Sequence, residues 1–190
     1  MFLTALADPN PVIFLESFLE SRQMTAITGP VPEEIYQLSM GQASILREGE
    51  ELTIIAIGPL IQLVLAAAKS LEKSDGISLE VIDPVCLQPL DIKRLASSIR
   101  KTRRLIIVDQ AVTFGGVGAE IASQIVEQCF NHLQAPIVHL GAPFSPPPFS
   151  PTKLAIDHRR SERVVGSIDL LTISPDAKGY EHRWANGYQG

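Results

Sequence analysis

The stretch "RLIIVDQAVTFGGVGAEIASQIVEQCFNHLQAPIVHLG" (residues 104–141) carries three patterns in succession. "RLIIVDQA" (104–111) is a nearly continuous apolar run rich in β-branched residues, the signature of a strand covered on both faces. Glycines interrupt it. "VGAEIASQIVEQCFNHL" (117–133) then sets Ile121, Ile125 and Phe130 roughly in line at helical spacing. "PIVHLG" (136–141) is again of strand composition. A strand, a crossover helix and a second strand make the two strands parallel, because only a crossover of a dozen residues or more can return the chain to the same edge in the same direction.

The same alternation extends upstream. "QASILRE" and "ELTIIAIG" read as two strands across the turn "REGEE". Pro59 opens a helical stretch, where its missing N–H costs nothing. Leu60, Leu63, Val64, Ala67 and Leu71 fall on one face of that helix. "SLEVIDP" (78–84) is a strand, and Asp91 is a plausible N-cap for "IKRLASSIRKT", with Leu95 and Ile99 one turn apart. The expected fold is α/β, a three-layer sandwich around a mainly parallel sheet of about five strands.

The ends are different in character. "PVIFLES" (11–17) looks like a strand buried on both faces, yet ten residues precede it, too few to cover it. Residues 18–40 read as a connector. "APFSPPPFSP" (142–151) is a proline-rich strap, "SERVVGSIDLLT" (161–172) a last candidate helix, and the remainder a tail containing Trp184.

Composition bounds the function. Hydrophobic residues make up 45% of the 190 and charged residues 19%, as in a folded globular chain. The net charge of -5 argues against nucleic acid, and the basic stretch "DHRRSER" (157–163) is acid-interrupted and reads as a solvated face. No apolar window is long enough to span a membrane, and the N-terminus lacks the basic start of a signal peptide. Cys86 and Cys129 sit in apolar contexts and read as buried, reduced thiols, which suits a cytoplasmic compartment.

The glycine-rich turn invites a nucleotide reading, and the residues argue against it. Gly116-x-Gly118 is half of a dinucleotide fingerprint, but Ile121 stands where its third glycine belongs, and no carboxylate ends the next strand. No Gly-Lys-Ser/Thr occurs. The bland alternative is a tight joint that lets a helix pack close to the sheet. Glu120 suits the first helical turn for dipole reasons alone. The histidines, His132, His139, His158 and His182, lie beside no nucleophile pattern, and Asp83, Asp91 and Asp109 form no evident pair.

Taken together, "DPNPVIFLES", "VPEEIYQLSMGQASILREGEELTIIAIGPLIQLVLAAA", "GISLEVIDPVCLQPLD" and the run from "SIRKTRRLIIVDQ" through "GGVGAEI" to "GAPFSPPPFSP" resemble the β subunit of the thiamine-diphosphate-dependent, decarboxylating component of 2-oxo acid dehydrogenase complexes, pyruvate dehydrogenase being the commonest type. The resemblance runs from about residue 5 to about residue 168. It implies the transketolase C-terminal domain fold for residues 41–172, a linker over 18–40, the closing strand of a missing pyrimidine-binding domain over 1–17, and a tail over 173–190.

The implied function is that of an assembly domain, present as a fragment or split subunit and contributing contacts rather than reacting groups. The implied partners are the dehydrogenase α subunit, a second β subunit and the acyltransferase core. No catalytic residue and no thiamine diphosphate ligand is expected here, since the activating glutamate lies upstream in the family and the α subunit holds the diphosphate. Some relatives hold potassium near the closing strand, and the matching positions are Ala5, Leu6, Asp8 and Asn10. "DPNP" reads equally as a turn leading into a strand. A stand-alone interaction module and a small-ligand-binding α/β domain remain as alternatives.

Overall fold

The computed structural model describes residues 1–16 and 36–142. The elements within them are α1 (Phe2–Ala7), β1 (Ser44–Arg47), β2 (Leu52–Ala56), α2 (Leu60–Asp75), β3 (Leu79–Asp83), α3 (Ile92–Thr102), β4 (Leu105–Val112), α4 (Val117–Cys129), a single 3-10 turn (Phe130–His132) and β5 (Val138–Ala142). The five strands form one sheet in the order β1-β3-β2-β4-β5. β2 pairs in parallel with both β3 and β4, and β4 in parallel with β5. β1 alone is antiparallel, on the outer edge of β3.

The strand periodicity sorts the core into two layers. Leu52, Ile54 and Ala56 of β2, with Leu79, Val81, Ile106, Val108, Val138 and Leu140, point to the face covered by α2. Ile55, Ile82, Leu105 and Ile107 point to the other face, under α3 and α4. This is the three-layer α/β sandwich expected from the sequence. All five residues of β2 are buried, as a strand with both faces and both edges covered must be.

β1 and β2 follow one another in sequence but do not pair, because β3 lies between them. The loop joining them crosses the start of β3, where Glu50 N–H and Glu51 N–H donate to the Ser78 carbonyl at 3.3 and 3.0 Å. Gly49 makes this crossing possible. A Cβ there would overlap the carbonyl carbon of Leu79 and the nitrogen of Glu80 and lie 2.6 Å from the Leu79 oxygen. At the other side of that junction, Arg47 donates to the Leu79 carbonyl at 3.1 Å and pairs with Glu72 at 2.8 Å.

Two expectations are corrected, at Phe130 and at Cys86, and the N-terminal segment stands apart from the sheet. Of the first 16 residues, Phe2–Ala7 is helical, and residues 11–16 pair with none of the described strands. Ile13 and Leu15 are 88% and 80% exposed. A strand needs a neighbour to take its backbone hydrogen bonds, and none of the five lies beside it. Phe14 instead meets the edge of the Phe2 ring at 5.4 Å, and Thr4 Oγ1 donates to the Leu38 carbonyl at 2.6 Å. Phe130 leaves the line of Ile121 and Ile125. Cys129 takes the inward position one turn on, and Phe130 opens the 3-10 turn at 70% exposure. Cys86 is half-buried, donating to the Gln88 carbonyl at 3.3 Å, whereas Cys129 is buried as expected. Residue 17, most of the connector over 18–40, all but Ala142 of the strap over 142–151, the helix expected at 161–172, the tail, His158 and His182 lie outside the described residues.

Gly49→Ala is expected to destabilise the domain by about 3 kcal/mol, because the obstacle is backbone and cannot rotate away. Gly76→Ala, at a helix end with open space around it but φ of 71, should cost about 1 kcal/mol. Urea unfolding of both variants checks the contrast; equal losses would contradict the crossing geometry.

Candidate functional site

The chemistry-bearing side chains converge at the carboxyl ends of β4 and β5, where α4 begins. β4 is apolar and buried through Val108 and then presents Asp109, 3% exposed. Between the pairs Val108↔Leu140 and Val112↔Ala142 the register slips, so that Asp109, Gln110 and Ala111 face Gly141 alone. This bulge turns the Asp109 carboxylate toward the start of α4. The chain then reverses through Gly115, whose φ of 66 favours glycine.

Asp109 Oδ2 accepts two hydrogen bonds there. One comes from Gly118 N–H at 3.1 Å, and the other from His139 Nε2 at 3.2 Å. Gly116, the residue before α4, supplies no side-chain cap. The strand carboxylate therefore satisfies one of the N–H groups that a helix start leaves open. Gly118 must be glycine: a Cβ would overlap the His139 ring and come within 2.8 Å of Asp109 Oδ2. Asp109 Oδ1 is buried without a partner among the described residues. A Cβ on Gly141 would meet it at 3.1 Å and the Ala111 carbonyl at 2.6 Å.

This arrangement answers the nucleotide question. A phosphate at a helix N-terminus needs open backbone N–H groups. Here the Gly118 N–H is engaged by an internal carboxylate, whose charge would repel a second anion. The turn does not fit a diphosphate group. His139 has its one described hydrogen bond to Asp109, so this geometry makes a joint and supplies no activated nucleophile.

The other residues singled out in the sequence resolve individually. Asp91 caps α3, accepting from Arg94 N–H at 3.2 Å, and its second oxygen accepts from Ala43 N–H at 3.0 Å. Asp83 accepts from Val85 N–H at 2.8 Å; burial pushes its carboxyl above the usual carboxylate range, and that hydrogen bond opposes the rise. Glu120 accepts from Gln124 at 2.8 Å on the exposed side of α4, and His132 lies exposed in the 3-10 turn. Burial raises the Cys129 thiol, opposed by the Arg100 charge.

Two constellations were not read in the sequence. The Asp109–His139 pair joins residues 30 apart, and its signal was a polar residue closing one apolar run and another interrupting the next. At the opposite end of the sheet, fully buried Glu80 pairs with Lys101, whose ammonium also reaches Glu48 at 3.5 Å and Glu50 at 3.8 Å. The hydrogen bond with Glu80 is the largest influence raising the Lys101 pKa. Thr53 and Thr102 share a buried hydrogen bond of 2.7 Å beside this pair. The alternation in "SLEVID" already placed Glu80 on a covered face.

Ala5, Leu6, Asp8 and Asn10 lie at the C-terminal end of α1 and the turn after it. Four residues beyond Ala5 stands Pro9, which has no N–H, and the Asn10 N–H, four beyond Leu6, goes to Asp8 Oδ1 at 2.9 Å. The Asn10 amide nitrogen donates to the same oxygen at 3.0 Å. Two helix-end carbonyls and a carboxylate fit a hard monovalent cation in kind, since all are oxygen donors.

Residues 41–159 match the model of the transketolase C-terminal domain family. The chain is 41% identical over 150 residues to a pyruvate dehydrogenase E1 component subunit beta of Rickettsia felis, covering 79% of this chain and 44% of that protein. It is 38% identical over 151 residues to an acetoin:2,6-dichlorophenolindophenol oxidoreductase subunit beta of Bacillus subtilis, covering 80% of this chain and 43% of that one. It thus spans less than half the length of these relatives. Among solved structures, a split-gene transketolase described as an inactive beta4 tetramer matches with a TM-score of 0.60 at 27% identity, over 74% of this chain and 46% of that one. No helix among the described residues is long and apolar enough to cross a membrane.

Asp109→Ala leaves the Gly118 N–H and the His139 ring without their shared acceptor and should destabilise the domain by about 3 kcal/mol. Asp109→Asn, which keeps one acceptor, should cost roughly half as much. Chemical denaturation orders the two, and an Asp109→Ala variant as stable as wild type would refute the joint. Asp83 gives a pH dependence. Its folded form holds the proton more tightly than the unfolded chain, so its contribution is full below about pH 4 and is lost as pH rises through the folded value. Asp83→Asn keeps an acceptor for Val85 and carries no charge. Its melting temperature relative to wild type should rise between about pH 4 and pH 7; a constant difference across that range would contradict the assignment.

Proposed function

The chain belongs to the transketolase C-terminal domain family, and from that premise we propose that it is the assembly domain of a 2-oxo acid dehydrogenase β subunit of the pyruvate dehydrogenase type. The whole enzyme would decarboxylate a 2-oxo acid oxidatively and pass the acyl group to lipoyl. In this reading residues 41–172 are the C-terminal domain, 18–40 the linker, 1–17 the segment that closes a pyrimidine-binding domain, and 173–190 a tail. The observation that carries it is the 41% identity over 150 residues to a β subunit.

The site supports a role in contacts. Asp109 Oδ2 joins the Gly118 N–H at the start of α4 to His139, so the end of the sheet that carries ligands in many α/β folds is occupied by the domain's own side chains. Thiamine diphosphate supplies carbanion-stabilising chemistry in such enzymes, and its phosphates would be held by the α subunit. The exposed apolar side chains Phe2, Leu6, Ile13 and Leu15 are what a segment closing a neighbouring domain would bury. A second β copy is the natural further partner, and the acyltransferase core a third. Cytoplasmic residence belongs to the same proposal, in keeping with the bacterial relatives and the free cysteines. Potassium is assigned to the oxygens of Ala5, Leu6, Asp8 and Asn10.

The test is reconstitution of 2-oxo acid decarboxylation from a cognate α subunit and pyrimidine-binding half, with and without this chain, in potassium and in sodium chloride. Activity should require the chain, and the assembled complex should melt a few degrees higher in potassium, by about 2–4 °C. Full activity without the chain would end the assembly reading. Equal melting in both salts would end the potassium assignment alone.

A further inference from the structure

Two helices of this fold end on the same left-handed residue, filled differently. α2 closes on Gly76 with φ of 71, and α3 on Arg103 with φ of 62. Glycine adopts that conformation freely, whereas a residue with a Cβ is strained in it. Arg103 is not needed for the helix dipole, because Arg100 and Lys101 already lie in the last turn of α3. Its side chain is exposed.

The surroundings show what it faces. The Arg103 carbonyl accepts from Gln134 N–H at 2.9 Å, and the Arg100 guanidinium donates to the Gln128 carbonyl at 3.5 Å. These two bonds join the end of α3 and residues 128–134 into one surface. Phe130 stands out from it at 70% exposure, with Val126 one turn earlier at 41%. Lys101 is engaged by Glu80, Glu48 and Glu50, which leaves Arg100 and Arg103 as the exposed cations at the end of α3, and exposed Glu127 is the one carboxylate between residues 126 and 132.

We propose that this surface docks a short acidic segment of another protein, with carboxylates on Arg100 and Arg103 and an apolar side chain against Phe130 and Val126. Guanidinium and carboxylate match in geometry as well as charge, and exposed arginine beside an exposed aromatic is the composition of interface anchors. A short segment fits better than a membrane or a nucleic acid. The chain carries a net charge of -5, so an extended polyanion reaching beyond a Debye length of about 8–10 Å meets repulsion, and a short segment meets the two arginines with Phe130 and Val126 and the single carboxylate Glu127. The inference goes beyond the assembly role and does not depend on it.

The probe is a short fluorescein-labelled peptide of alternating glutamate and leucine with a central phenylalanine, titrated against the full chain by anisotropy. Controls are the same peptide with lysine for glutamate, and phosphatidylserine-containing vesicles. The acidic peptide should bind, more weakly as salt rises, and neither control should. Arg103→Gly relieves the backbone, so it should melt about 2–4 °C higher while binding the peptide about fivefold more weakly. Phe130→Ser should weaken binding without lowering the melting temperature. The proposal is overturned if the acidic peptide does not bind, if the lysine peptide binds as well, if vesicles bind in its place, or if Arg103→Gly binds like wild type.

Discussion

Everything in this domain follows from a strand that can tolerate no water. Leu52–Ala56 of β2 is buried along its whole length, hydrogen-bonded on both edges and covered on both faces. A fully buried isoleucine or leucine contributes about 1.5–3 kcal/mol relative to exposure, and Leu52, Ile54 and Ile55 lie at 0%. That contribution is available only when α2 covers one face and α3 the other. The crossovers, the parallel order and the two separate core layers are consequences of this requirement.

With the apolar interior so arranged, the polar residues that remain are pressed to the two ends of the sheet. At the carboxyl end Asp109 ties α4 to β5 through Gly118 and His139. At the amino end Glu80 and Lys101 tie α3 to β3, with Thr53 and Thr102 alongside. Breaking a buried pair by removing one partner is costly, so such pairs hold helices in one position over a sheet whose apolar contacts alone are tolerant of sliding. Gly49, Gly118 and Gly141 serve the same end, because each sits where another backbone or a buried side chain leaves no room for a Cβ.

Apart from Glu80 Oε1 and Asp109 Oδ1, the buried side-chain polar atoms of the described residues are hydrogen-bonded internally, which suits a scaffold for contacts. Among the residues it leaves outward are the apolar side chains of α1 and of residues 11–16, and the arginines and Phe130 at the far end of α3 and α4. The first has the character of a segment completing another domain. The second combines exposed cations with an exposed aromatic ring.

Much of this was legible in the sequence because it depends on periodicity. The apolar runs of β2, β3, β4 and β5, the helix opened by Pro59 and the Asp91 cap are local patterns, and the fold places each where the pattern indicates. The sequence also excluded a nucleotide loop, through the missing third glycine at Ile121. What it could not decide was pairing between distant segments. That β3 separates β1 from β2, that Asp109 meets His139, and that Glu80 meets Lys101 depend on strand order and register, which are settled by how the layers pack. The outward turn of Phe130 has the same origin. The helix ends one residue short of it, Cys129 fills the last inward position, and that choice between neighbours was made by the space under α4.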